Sequence, residues 1–182
     1  MNKESLIGSD LVLLLMAAPG QGGAMSGRVD GITRMEKLLY LASRESDLPQ
    51  QVIDPLEFIP YNYGPFSKAV YESVDLLEEM SPALVKEERV LDGLTIDNET
   101  EAGLGTGSTE YVERRFVLTE EGRLVAQLLA RENPEAMELL TRIKTKYGGM
   151  TLNQLVHYVY TRYPEDTINS LIRDRHLPSS PG

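Results

Sequence analysis

Cysteine and tryptophan are absent from this chain, and histidine occurs only twice. Without cysteine there can be no disulfide, no thiolate metal ligand and no thiol nucleophile. The same absence fits a protein kept in a reducing cytoplasm. His157 and His176 are too far apart for an HxxxH or HExxH pair, so no zinc site is expected. With no cysteine and no histidine–acid pairing, no nucleophile or general base can be argued. The expectation is a non-enzyme with no catalytic residue, metal or cofactor. Positive charge is also scarce: 18 Lys and Arg stand against 28 Asp and Glu, a formal net charge of -10. Long hydrophobic runs are missing too. The most apolar stretch, Leu11 to Ala18, is too short to span a bilayer. Glu4 and Asp10 lie beside it, where a signal sequence wants cations. It reads as a buried first helix, Glu4 to Ala18, ended by Pro19-Gly20, and no membrane partner is expected.

What remains is enough for one domain. The chain has 182 residues and is 41% hydrophobic, sufficient for a substantial core. Its most informative stretch is Phe58 to Leu77, FIPYNYGPFSKAVYESVDLL, which follows the apolar-periodic segment ITRMEKLLYLA from Ile32 to Ala42. Phe66, Val70, Val74 and Leu77 recur at helical spacing. Gly64-Pro65 punctuates the chain, with Pro65 in the first turn of a helix. The pattern is that of a helix-turn-helix core with an aromatic entrance, Tyr61-Asn62-Tyr63.

The remaining elements follow from caps and breakers. A Gly-rich loop, Gly20 to Gly31, precedes helix two, capped by Asp30 or by Thr33 with Glu36 as a capping box. Leu56 to Tyr63 is extended, an edge segment because of Pro60. Helix three runs from Pro65 to about Met80. Leu84 to Leu91 and Tyr111 to Leu118 read as a β-hairpin. Its connection, Asp92 to Glu110, is long, acidic and expected to be mobile. Thr119 caps helix four, Glu120 to Arg131. Helix five is Pro134 to Tyr147, helix six runs from Thr151 to about Tyr163, and a short helix, Asp166 to Arg175, precedes a disordered tail, 177–182. The fold class is mainly α with a small β-hairpin. Residues 1–132 form a winged-helix-like core, and residues 133–176 form a helical C-terminal extension packed on it. The glycine clusters at Gly20–Gly27 and Gly103–Gly107 lack the lysine and leading strand of a phosphate loop.

Two short blocks, 32–42 and 58–79, carry a family resemblance. Lys37-Leu38-Leu39-Tyr40-Leu41-Ala42, Tyr63-Gly64-Pro65 and Val70-Tyr71 resemble the SocA-like antitoxin domain, also called Panacea, and the related YwgA-like proteins. The segment from Tyr147 to Ser170 fits the same pattern. The resemblance implies a small, mostly helical regulatory domain in a toxin–antitoxin or phage-defence setting, with no catalytic residues. Winged-helix transcription regulators share much of the same pattern.

Two functional readings follow. In the first, the aromatic residues line a groove for a protein partner, a toxin or a defence component, because Tyr joins apolar area to a polar tip. The expected partner-binding residues are Tyr61, Tyr63, Lys68, Tyr71 and Tyr160. In the second, helix three reads DNA through Ser67, Lys68 and Tyr71 while Arg114 and Arg115 of the wing hold phosphates. That reading carries a homodimer through the C-terminal extension. Charge favours the first: Phe66 to Met80 holds one base and four acids, and DNA affinity rests on phosphate neutralisation.

Overall fold

The computed structural model describes residues 6–47, 54–90 and 113–172. It is mainly helical, with a three-stranded antiparallel sheet and a separate two-stranded hairpin. The first helix, α1 (Gly8–Ala17), is buried continuously from Leu11 to Met16. Each fully buried aliphatic side chain contributes roughly 1.5–3 kcal/mol, so this apolar run forms the axis of the core. A short strand β1 (Arg28–Asp30) leads into α2 (Ile32–Arg44). A hairpin follows, β2 (Ile59–Tyr61) and β3 (Gly64–Phe66), and then α3 (Lys68–Glu79). Strands β4 (Val85–Val90) and β5 (Glu113–Leu118) pair in antiparallel register, Val85 opposite Leu118. Then come α4 (Glu120–Glu132), α5 (Pro134–Tyr147) and α6 (Leu152–Arg162).

The sheet order is β1-β5-β4. Of the helices, α1 contacts β1 and β5, α2 contacts β1, and α3 contacts α1 and β4, so the fold is mainly α with a small antiparallel sheet in winged-helix-like strand order. Phe116 and Leu118 of β5 point into the core and are buried. The later helices share the same core: α5 packs on α1 and α2, and α6 packs on α2.

Four sequence expectations are corrected. The segment Gly20 to Gly31 is not merely a loop, because Arg28, Val29 and Asp30 pair with Val117, Phe116 and Arg115. Helix two is entered through Gly31, with φ +87°, and not through a capping box. Asp30 instead pairs with Arg28 and Arg115, and Glu36 turns inward. Pro65 does not open α3: it lies in β3, and Ser67 caps the helix by accepting the Val70 N–H at 3.3 Å. The helix so formed packs chiefly on α1, with a full hairpin between it and α2. After α6 the chain makes a 3-10 turn, Pro164–Thr167, in place of a helix starting at Asp166. The acidic connection Asp92 to Glu110, His176 and the tail 177–182 lie outside the described residues.

Candidate partner-binding cleft

A buried charge pair on α2 anchors the β2–β3 hairpin. Lys37 Nζ donates to Glu36 Oε2 at 2.8 Å and to the Pro65 carbonyl at 2.6 Å. Glu36 Oε1 accepts the Ser67 N–H at 3.0 Å. Ser67 Oγ in turn donates to the Leu56 carbonyl. Both charged side chains are almost fully buried, a state that is tolerable only when each is paired and hydrogen-bonded. This network fixes the backbone of Pro65, Phe66 and Ser67 against α2.

From the other side, α6 and the chain after it hold the hairpin turn. Gly64 adopts φ +89°, a conformation suited to glycine. A Cβ there would lie 2.9 Å from Cε2 of Tyr160. Tyr160 is 0% exposed, and its hydroxyl lies 2.5 Å from Ser170 Oγ. Burial raises its pKa. The Asn62 carbonyl accepts the Leu171 N–H at 2.7 Å and Ser170 Oγ at 3.1 Å.

Between these supports lies a cleft of about 210 Å³. Glu36 and Lys37 line it from α2, Leu152 and Val156 from α6, and Ile172 from the chain after α6. Tyr61, Phe66 and Tyr71 form a continuous run of rings along it, with centroids 5.2 and 5.4 Å apart. Tyr63 lines the cleft as well. Tyr61 is 48% exposed and Tyr63 38% exposed, so both offer a face to an incoming group.

The residues singled out in the sequence therefore divide. Tyr61, Tyr63 and Tyr71 converge on the cleft. Tyr160 does not reach it: buried behind Gly64, it supports the turn and presents no surface to a partner. Lys68 is exposed but outside the cleft, and pairs with Glu72 at 2.5 Å, which raises its pKa. Ser67 is buried as the helix cap, so it cannot meet a base edge. Arg114 pairs with Glu87 at 2.7 Å and Arg115 with Asp30 at 3.1 Å. The Arg114 guanidinium, together with Arg89, holds the Glu87 carboxyl below the usual carboxylate range.

Glu36, Lys37, Leu152, Val156 and Ile172 complete the cleft without having been expected there. The only signal for the charged pair was its place in a helix whose neighbours, Met35, Leu38 and Leu39, are all apolar. The cleft offers aromatic faces over a floor in which the buried charges of Glu36 and Lys37 neutralise each other. Among the described residues no group of three or more His, Asp or Glu side chains could hold a metal ion. Among the same residues no helix is long and apolar enough to cross a membrane. The chain matches no protein-family model and no curated protein.

Proposed function

We propose that this chain is a non-enzymatic regulatory module of the SocA-like antitoxin kind, which takes a segment of a protein partner into the aromatic cleft. The observation that carries the reading is the unbroken run Tyr61–Phe66–Tyr71, with the partly exposed Tyr63 also lining the cleft. Tyrosine supplies large contact area at low entropy cost and is enriched where binding energy concentrates. The partner's segment is apolar where it meets the rings and basic around them. Glu72, Asp75 and Glu79 are exposed on α3, which also carries Tyr71, and the whole chain is strongly acidic. Such a field steers a basic partner and raises its association rate. In a toxin–antitoxin or phage-defence setting, the partner is the toxin or defence component.

A winged-helix DNA-binding regulator is the second reading, favoured by the strand order β1-β5-β4. Its expected contacts are compromised, because Ser67 is buried and Lys68, Arg114 and Arg115 each pair with a carboxylate.

The test is affinity capture from native lysate at low salt, with and without nuclease, using the natural chain and the Tyr61→Ala and Tyr63→Ala variants. The expected result is a protein that survives nuclease and is lost by both variants while their thermal unfolding is unchanged. Capture that both variants retain would remove the cleft from the account. Recovery of DNA alone, lost on nuclease treatment, would place the regulator first.

A further inference from the structure

Helix α4 leaves one apolar face uncovered. Its inner face is set by small residues: Ala126 is buried, and Gly122 lies so close to the residue before β4 that a Cβ would meet the Leu84 carbonyl oxygen at 1.9 Å. That approach turns Leu124 and Leu128 outward, where they are 58% and 57% exposed. Along the same exposed face stand Glu121 and Arg131. The four positions, 121, 124, 128 and 131, are spaced by three, four and three residues, the spacing of a helix–helix seam.

Their order is symmetric about residue 126. Glu121 and Arg131 lie five residues to either side of it, and Leu124 and Leu128 two. A second copy of this helix, laid antiparallel across the first, would set Leu124 against the other copy's Leu128. It would also set each Glu121 against the other copy's Arg131. The same helix laid parallel would bring acid onto acid and base onto base. A two-fold interface requires a surface complementary to itself, and this face meets that requirement in both shape order and charge. Antiparallel pairing also opposes the two helix dipoles favourably.

We propose that the chain forms a two-fold homodimer by antiparallel self-pairing of α4, with Leu124 and Leu128 as its apolar centre and Glu121–Arg131 as its charged ends. One helix pair is a small interface, so the dimer dissociates at micromolar concentration, roughly 1–100 µM by affinity arithmetic. The cleft described above is formed by other elements and stays open in the dimer.

The experiment is sedimentation equilibrium on the full chain across that concentration range, at low and high salt. The natural chain should pass from monomer to dimer. Leu124→Glu with Leu128→Glu should remain monomeric throughout. Glu121→Arg and Arg131→Glu should each weaken dimerisation by about tenfold, and the two together in one chain should restore it. A monomer at every concentration would overturn the proposal. So would a dimer that survives the leucine replacements, or one whose double charge exchange is no better than either single change.

Discussion

Lys144 of α5 donates from Nζ to the carbonyl of Met16 at 2.8 Å, and to that of Leu15 at 2.9 Å, at the C-terminal end of α1. The side chain is fully buried, and burial lowers its pKa to about 7. A cation is favoured at a helix C-terminus, but desolvation opposes the charge. The neutral amine still has two hydrogens for the two carbonyls, so both bonds survive loss of the proton. In the unfolded chain the lysine holds its proton to about 10.4. Between about pH 7 and 10.4 the unfolded state therefore binds the extra proton, and stability rises with pH. The slope from this one group is at most about 1.4 kcal/mol per pH unit. Tyr40 and Tyr147, whose pKa values burial raises, act the other way, but only above about pH 10, where unfolded tyrosines ionise. Lys144→Met should abolish the rise from pH 7 to 9.5. Urea unfolding of both proteins across that range checks it, and parallel pH profiles would refute it.

The pair Glu36–Lys37 predicts a non-additive mutational cycle. Lys37→Met leaves the Glu36 carboxylate buried with only the Ser67 N–H, a loss on the order of 3–5 kcal/mol. Glu36→Gln keeps an acceptor for that N–H and is expected to cost less. The double variant should be more stable than the sum of the single effects implies, by about 1–3 kcal/mol. Denaturant titration of the four proteins measures this, and additive effects would mean the two groups do not depend on each other.

These two lysines also mark where sequence reading stopped. Helices with local stop and start signals were legible. Pro134 and Gly148-Gly149 bound α5, Thr151 and Gln154 form a capping box at α6, and Thr119 caps α4 by accepting the Gly122 N–H at 3.0 Å. Strand β1 was not, because Arg28-Val29-Asp30 has one apolar side chain and becomes a strand only by pairing with β5. Tyr61, Tyr63 and Tyr71 stood out as rings in a polar stretch, and all three line the cleft. Tyr160 looked equivalent, but it is buried against Gly64, far away in the chain. Lys37 and Lys144 would each pass for surface residues, since the partners that draw them inward from other elements are carbonyl oxygens, which no residue type announces.

The contact between Gly64 and Tyr160 makes the turn intolerant of a side chain. Gly64→Ala adds a Cβ 2.9 Å from the ring, at a residue with positive φ. The combined strain and overpacking should destabilise the protein by about 1–3 kcal/mol. Tyr160→Phe keeps the ring and loses the contact with Ser170 Oγ, worth about 1 kcal/mol. Thermal unfolding of both variants ranks them, and a Gly64→Ala protein as stable as the natural chain would show that the ring yields without penalty.

The turn after α6 controls how firmly the cleft wall is held. Asp166 accepts from the Tyr40 hydroxyl at 2.5 Å and from the Arg44 guanidinium, tying the Pro164–Thr167 turn to α2. The Tyr163 ring lies edge-on to Tyr40, 5.6 Å between centroids, and the Arg44 guanidinium sits 5.4 Å from it. From this turn the chain runs to Ser170 and Leu171, which grip the Asn62 carbonyl at the tip of the hairpin. Asp166→Asn removes one of the two carboxylate charges that Arg44 meets, leaving Glu165 at 3.3 Å, and weakens one end of this strap. Opening the strap frees the Leu171 N–H and the hairpin turn together, while α1 and the sheet are untouched. Hydrogen exchange should therefore quicken by roughly tenfold at Leu171, equivalent to about 1.4 kcal/mol of a charge-assisted bond. Amides of α1 should exchange as before. Faster exchange throughout the chain would instead mean that Asp166 supports the whole fold, and an unchanged Leu171 amide would mean that the strap does not need it.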